Sequence, residues 1–297
     1  MKQFNSIQDY ISAIGINDHT NVDEIFIYRI EDYLGNEQIE MKPYRHDFFE
    51  ITYGYGHDVE ISVGDKSFNP TDGLLSFTTP HNISSWKIKG FRDDSLGIMI
   101  LFKPSFLNNT YHTIDLYRKF QFFNINSTPA ISAPKEESED IVNLMKAMLN
   151  EFDSVLTESK KNILAAYLTI VLEKTNSLFR SPASKLIFSN RSEEIAFRFE
   201  TLLKEKVSYQ LRLSDYASEL NISANYLSEA VKKATGKSAK QTAQEFLTLY
   251  AKSQLLLNTN TIAVIADNLG FYDPSNFVKY FKKRTGKTPT QFRKENR

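Results

Sequence analysis

The sequence predicts two domains, a β-rich N-terminal domain followed by an all-α C-terminal one. The chain has 297 residues, more than the roughly 250 that one hydrophobic core usually organises. Short alternating apolar segments dominate residues 20–107, whereas helical periodicity dominates from residue 136 onward. A hydrophobic fraction of 41% is sufficient for packed cores and excludes a wholly disordered chain.

The net charge of zero divides unevenly along the chain. Residues 1–180 contain 17 Lys+Arg and 25 Asp+Glu, a net charge of −8, whereas residues 181–297 contain 19 and 11, a net charge of +8. A basic C-terminal third favours a polyanionic partner there, and a solvated basic face is the alternative.

The chain contains no cysteine, which excludes disulfides, thiolate metal sites, iron–sulfur clusters and a cysteine nucleophile. The N-terminus has no long apolar run, and no stretch reaches about 18 apolar residues. We therefore expect a cytoplasmic protein without a signal peptide or a membrane partner.

Residues 1–135 are predicted to form an antiparallel β-sandwich or small barrel. Aromatic, β-branched or alternating segments, separated by Gly, Asn, Asp and Pro, predict strands over residues 48–54, 59–63, 74–77, 86–89 and 96–102.

Residues 136–180 are predicted to form a pair of helices. Apolar stripes with helical spacing occur at Ile141, Leu144, Met145 and Met148, and again at Leu164, Tyr167, Leu168 and Val171. These stripes fit either packing on the sheet or a homodimer seam. A Ser- and Pro-containing stretch predicts a linker over residues 181–192 and a C-terminal domain over 193–297.

The C-terminal domain contains an internal repeat. Residues 232–237 recur as residues 282–287, and five of these six positions are identical. Ala217 and Leu220 recur as Ala266 and Leu269. One supersecondary unit therefore occurs twice.

Each copy has the pattern of a helix-turn-helix, whose second helix lies in the DNA major groove. In the first copy, Ser214 is expected to cap residues 215–220, and Ser223 to cap residues 224–234, which end at Gly236. In the second copy, Thr261 caps residues 262–268, and Asp273 caps a helix that begins at Pro274.

One helix, residues 239–257, is predicted to connect the two copies. Its 19 residues would span roughly 28 Å, close to the roughly 34 Å of one DNA turn. This length fits two recognition helices in successive major grooves.

Residues 190–297 closely resemble the DNA-binding domain of the AraC/XylS family of bacterial transcription regulators. Residues 213–217, 221–223, 226–228, 232–236, 262–271, 281–289 and 292–293 carry the resemblance. It implies DNA contacts by Asn225, Tyr226, Ser228, Glu229, Lys232, Lys233, Pro274, Ser275, Asn276, Val278, Lys279, Lys282, Lys283 and Arg284.

Two positions depart from the family pattern. Glu229 stands where a basic residue is common, and Leu247 stands near the place of a common arginine. The first copy is therefore expected to bind DNA more weakly or to read a different base, unless Glu229 only pairs with Lys232 or Lys233.

The N-terminal domain resembles the cupin-type sensor domain of such regulators. Only His46, Glu50 and His81 remain from its metal-ligand pattern, so no metal and no cofactor is expected. The resemblance implies instead a small-molecule pocket, for which the candidates are His46, Tyr53, Tyr55, Trp86 and Phe102.

The resulting hypothesis is a DNA-binding transcription regulator and activator, not an enzyme, whose partners are double-stranded DNA, a small-molecule effector, RNA polymerase and a second copy of the chain. Two alternatives remain open. One is a cupin-type metal-dependent enzyme with an auxiliary helical domain, and the other is a sensor domain that makes only protein contacts.

Overall fold

The computed structural model describes residues 1–16, 23–33, 39–63, 66–68, 73–80, 82–107, 110–111, 116–117, 119–123, 130–132, 135–152, 157–181, 185–188, 190–257 and 260–295. It divides into two compact units, Met1–Ser189 and Asn190–Arg297. None of its described helices is both long and apolar enough to cross a membrane.

The first unit, here the sheet unit, is built on one mixed sheet. Its strands are β1 (Lys2–Phe4), β2 (Ile25–Arg29), β3 (Ile39–His46), β4 (Phe49–Val63), β5 (Lys66–Phe68), β6 (Leu74–Thr78), β7 (Ser84–Phe102), β8 (Ala130–Ser132) and β9 (Lys185–Ile187). Their order is β1-β3-β7-β4-β6-β8-β9, with β2 paired to β7 and β5 paired to β4.

Two long antiparallel strands, β4 and β7, form the centre of this sheet. Residues 48–54 and 59–63 were predicted as two strands, as were residues 86–89 and 96–102, but each pair belongs to one continuous strand, β4 or β7. The register shifts between Tyr55 and His57, where Gly56 has φ +72°. A bulge of this kind bends a strand without ending it.

The helices of the sheet unit are α1 (Ile7–Ala13), α2 (Ile30–Tyr33), α3 (Lys135–Glu151) and α4 (Glu158–Arg180). The predicted stripes of α3 and α4 are buried, except that Leu144 and Tyr167 are half-buried. Strand β9 lies inside the stretch predicted as a linker and pairs with β8.

The second unit, here the helical unit, contains only helices among its described residues. They are α5 (Arg191–Lys206), α6 (Leu213–Glu219), α7 (Ala224–Thr235), α8 (Ala239–Leu257), α9 (Ile262–Asn268), α10 (Pro274–Thr285) and α11 (Pro289–Glu295). Ser223, Thr261 and Asp273 accept backbone N–H bonds as predicted caps. Ser214 does not: α6 begins one residue before it, because the Asp215 carboxylate accepts the Arg212 N–H at 2.6 Å.

Candidate nucleic-acid interface

The first repeat copy, α6 and α7, packs as a helix-turn-helix. Ala217 is buried on α6, and Leu227 and Val231 are buried on α7. The turn between them contains Asn221, which has φ +55°. The Ile222 N–H donates to the Ala217 carbonyl at 3.0 Å and closes the turn.

The second copy, α9 and α10, repeats these contacts at equivalent positions. Ala266, Phe277 and Phe281 are fully buried. Gly270 takes the left-handed conformation at φ +78°, and the Phe271 N–H donates to the Ala266 carbonyl at 2.9 Å. The sequence repeat is therefore a structural repeat.

The repeated basic segment has the same end structure in both copies. Gly236 and Gly286 are left-handed, and their N–H groups donate to the carbonyls of Lys232 and Lys282 at 2.9 Å. This terminates α7 and α10 at the same point of the repeat. The final lysine of each segment, Lys237 or Lys287, pairs with Glu245 or Glu295.

The predicted DNA contacts all lie at the surface of α7 and α10. Ser228 and Val278 are half-buried, and the others are exposed, namely Asn225, Tyr226, Glu229, Lys232, Lys233, Pro274, Ser275, Asn276, Lys279, Lys282, Lys283 and Arg284. Both recognition helices thus present a continuous outer face opposite their buried face.

Most of the cationic side chains on these outer faces are not engaged in ion pairs within the described part of the chain. Lys232, Lys233, Lys279, Lys282 and Lys283 form no ion pair with any residue that the structure describes. Arg284 differs, because its guanidinium donates to the Gln244 side chain and lies 5.9 Å from the Tyr280 ring centre.

The two departures from the family pattern have different environments. Glu229 is exposed, and no described ion pair joins it to Lys232 or Lys233. Leu247 is 4% exposed and belongs to the core formed with Ala266, Phe271 and Phe277. Glu229 is thus presented on the recognition face, whereas Leu247 is a core residue.

One exposed side chain on the second copy was not singled out from the sequence. Tyr272 is 89% exposed and directly precedes Asp273, whose carboxylate accepts the Ser275 N–H at 2.7 Å. This bond lowers the Asp273 pKa and keeps a negative charge at the start of α10. The exposure of Tyr272 could have been predicted from the sequence. Tyr272 lies between Phe271, which is buried, and the residue that caps α10, so its own side chain points away from the core.

The two faces of the sheet in the sheet unit have different surroundings. On one face, Tyr10, Tyr28, Tyr44, His46, Glu50 and Trp86 form what we call the polar-aromatic cluster. The Tyr10 hydroxyl accepts from Trp86 Nε1 at 3.3 Å and from the Tyr44 hydroxyl at 3.4 Å. The cavity beside it is only about 50 Å³, too small for an organic effector.

Besides its tyrosines, this cluster buries one carboxyl and one imidazole group, those of Glu50 and His46. Burial raises the pKa of Glu50 to about 7, although the Thr52 hydroxyl donates to its Oε1 at 3.1 Å. Burial lowers the pKa of His46 to about 4. Both charged forms are disfavoured because the apolar surroundings replace water.

The predicted ligand pocket is not one site. His46 and Trp86 belong to the polar-aromatic cluster, whereas Phe102 is fully buried against Phe49 on the opposite face. The pocket prediction was therefore wrong for Phe102, because residues alternate between faces along β4 and β7. His81 lies outside the described residues, and no group of three acidic or histidine side chains suited to a metal occurs among the described ones.

Tyr53 and Tyr55 instead line a cavity of about 430 Å³ between the sheet and α3, here the helix-side cavity. Its lining combines two tyrosines, two cations, two carboxylates and an amide, and comprises Arg29, Tyr53, Tyr55, Gly73, Asp94, Leu96, Ser138, Glu139, Val142, Asn143 and Lys146. The Tyr55 hydroxyl donates to Asp94 at 3.4 Å, and Arg29 donates to the Ser95 carbonyl at 3.4 Å.

Comparison with known proteins gives matches in both units. A model described as a helix-turn-helix domain matches residues 216–295. The Msm operon regulatory protein of Streptococcus mutans is 26% identical over 242 residues, which are 80% of this chain and 78% of that protein. The lactose operon transcription activator of Staphylococcus xylosus is 27% identical over 210 residues, 66% and 72% of the two chains.

Among solved structures, ToxT from Vibrio cholerae O395 aligns with 91% of this chain and 96% of its own. The two sequences are 13% identical in that alignment, and the TM-score is 0.33.

Proposed function

We propose that this chain, a DNA-binding transcription regulator whose residues 216–295 match a helix-turn-helix domain, is of the AraC type and inserts α7 and α10 into successive major grooves of one duplex. The observation that carries this proposal is the structural repeat. Two copies with equivalent turns, equivalent caps on α7 and α10, and equivalent basic segments each present an exposed outer face. Such a face is what a recognition helix requires.

The proposed contacts divide into two classes. Asn225, Ser228, Ser275 and Lys279 face outward on the recognition helices and would contact base edges, where Asn suits adenine and Lys suits guanine. The other predicted contacts would either hold phosphates or lie at the edge of the DNA-binding face. They are Tyr226, Glu229, Lys232, Lys233, Pro274, Asn276, Val278, Lys282, Lys283 and Arg284.

Selection of duplexes from a random pool by the full-length protein tests the function. We expect a recovered site with two elements about one helical turn apart, and affinity that falls steeply with salt. Recovery of no preferred duplex, or binding insensitive to salt, would contradict it.

For the sheet unit we propose that a cupin-like effector domain, residues 1–135, acts together with α3 through the helix-side cavity that they both line. Its volume of about 430 Å³ is within the range of small-molecule sites, whereas the space beside the polar-aromatic cluster is not. The lining contains two cationic and two anionic side chains, of which Arg29 pairs with Glu31 and Asp94 with Arg92, both outside the lining. A balanced lining rich in hydroxyl and amide groups fits a neutral polyhydroxylated compound such as a sugar.

A panel of mono- and disaccharides, screened by thermal shift, tests this effector class. We expect at least one sugar to raise the melting temperature, and N143A to abolish the shift. Asn150, exposed on the same helix outside the cavity, supplies the control N150A. The absence of any shift, or equal shifts in both variants, would reject the cavity as the site.

The helical pair 136–180 is the proposed dimer seam, with residues 181–192 leading into the DNA-binding domain at 193–297. Ile163 and Ile170 are 39% and 43% exposed, one heptad apart on one side of α4. Sedimentation of the double variant I163K/I170K should show a monomer where the parent is a dimer.

RNA polymerase is the proposed further partner, and no enzymatic role is assigned to either unit.

A further inference from the structure

The segment between α5 and α6 contacts the turn of the second repeat copy. The Tyr209 N–H donates to the Leu269 carbonyl at 2.9 Å. Gly270 lies so close that a Cβ there would be 2.2 Å from the Ser208 hydroxyl oxygen. A side chain at this position would have to displace the Ser208 hydroxyl, so the turn and this segment are in close contact.

The Tyr209 ring extends this contact. It stacks on Phe271 with ring centres 4.2 Å apart and planes 21° apart, and it meets the Tyr280 ring at 5.9 Å and 74°. The Tyr280 hydroxyl in turn donates to the Gln244 carbonyl of α8 at 2.9 Å. The aromatic contact therefore involves the turn of the second copy, its recognition helix and the connecting helix.

The same segment is attached to the first copy at its other end. The Tyr216 hydroxyl of α6 donates to the Lys206 carbonyl at 3.4 Å. The Lys206 ammonium pairs with Glu219 at 2.6 Å, also on α6. Residues 206–209 thus bridge the two copies by a route separate from α8.

A second connection restricts how the two repeat copies can move relative to each other. A single connecting helix fixes the separation of two bodies, and contacts along a second route further restrict how they rotate relative to each other. Two recognition helices can enter successive grooves of one duplex only if both their separation and their phase match the DNA. Tyr209 is 53% exposed, so its ring contributes little to a core.

We propose that Tyr209 is a positioning residue that fixes the orientation of α10 relative to α7 and thereby sets the spacing of DNA elements that the protein accepts. The proposal rests on the proposed function, because it assumes that both copies bind one duplex.

A measurement without DNA tests the positioning directly. Because the chain has no cysteine, K233C and K283C place one spin label on α7 and one on α10 of the full-length protein, which is mixed with excess unlabelled protein so that each proposed dimer carries one labelled copy. Double electron–electron resonance should give a narrow distance distribution that Y209A broadens at least twofold. Y209F keeps the ring and should leave the distribution unchanged. Equal distributions in all three proteins would overturn the proposal.

A binding measurement tests the consequence for DNA. The probe is the duplex selected by the wild-type protein, together with versions that carry one or two extra base pairs between its elements. Wild type and Y209F should lose at least tenfold affinity on each insertion. Y209A should lose about tenfold on the native spacing and discriminate the insertions less than threefold. Y209L, which keeps an apolar side chain without a ring, should behave like Y209A.

The outcomes separate the two proposals. If wild type selects no duplex, the proposed function fails, whereas the spin-label result still reports on the bridge. If a duplex is selected and Y209A retains wild-type spacing discrimination, only the role of Tyr209 is refuted. Equal loss by Y209A on a duplex with a single element would also refute it, since positioning cannot affect one element alone.

Discussion

The polar-aromatic cluster and the recognition helices place ionisable side chains in opposite environments. In the cluster, Glu50 and His46 are buried, and their pKa values move toward the neutral forms. On α7 and α10, the lysines are exposed to solvent. Ionisable side chains are therefore expected to determine the pH dependence of stability in the cluster and the salt dependence of DNA binding on the recognition helices.

Because of this difference, the two regions can be tested by separate measurements. A buried carboxyl contributes to folding only while it remains neutral, whereas an exposed ammonium contributes to DNA binding by releasing counterions. Changes in the cluster should leave the salt dependence of DNA binding unaltered. Changes on the recognition helices should leave the pH dependence of unfolding unaltered.

The largest expected effect is that of E50Q on stability. A folded-state pKa of about 7, above the ordinary 4.5, means that the stability given by the neutral carboxyl is complete below pH 4.5 and lost as the pH rises through 7. The amide stays neutral, so at pH 8 the variant should be about 3 kcal/mol more stable than wild type. Urea unfolding followed by fluorescence of Trp86, the single tryptophan, measures this.

The control for this prediction is E40Q, which alters an exposed glutamate on β3. Protonation of His46 lowers the stability of each protein as the pH falls from 6.5 through 4, and its Nε2 lies 3.8 Å from Glu50 Oε2. The comparison at pH 8, where His46 is neutral, therefore isolates Glu50. Parallel curves for wild type and E50Q from pH 4 to 8 would show that Glu50 stays charged in the fold.

The next effect in size is that of K282A/K283A on DNA binding. Loss of two phosphate contacts should weaken binding by about 2 kcal/mol on every sequence and reduce the slope of log affinity against log salt by about two. The matched pair K232A/K233A removes the equivalent lysines of the first copy. An unchanged slope in K282A/K283A would exclude these lysines from the phosphate backbone.

A smaller effect, about 1.5 kcal/mol, is expected from K279A, and it should fall on specificity. Binding to the selected duplex should weaken, while binding to a scrambled duplex should change little. Fluorescence anisotropy on both duplexes measures the ratio. Equal weakening on both would place Lys279 at a phosphate rather than a base.

The smallest effect is expected from E229Q. Removing an exposed negative charge from the first recognition helix should strengthen binding by about 0.5 kcal/mol, more at low salt than at high salt. Titrations at low and at high salt, about 50 and 300 mM, test the sign. Weaker binding confined to one base position would instead identify Glu229 as an acceptor of a cytosine amino group.

Local sequence signals were sufficient for most of the helical unit. The predicted bounds of α8 and α9 are those observed, because caps such as Thr261 act within one turn of the chain. Ser214 failed as a cap because Asp215, also a local group, competes for the same helix start. The sheet was harder, since the bulge at Tyr55 and His57 depends on pairing with a distant strand.

The repeat, the opposite charges of the two halves and the helix-turn-helix pattern were determined by the sequence alone. They depend on residues close together in the chain, and the outward face of each recognition helix follows from helical periodicity. Only the tertiary structure decided which face of the sheet Tyr53 and Tyr55 share, how much space lies beneath α3, and that Tyr209 contacts Phe271. Those features arise from residues far apart in sequence, whose proximity no local pattern encodes.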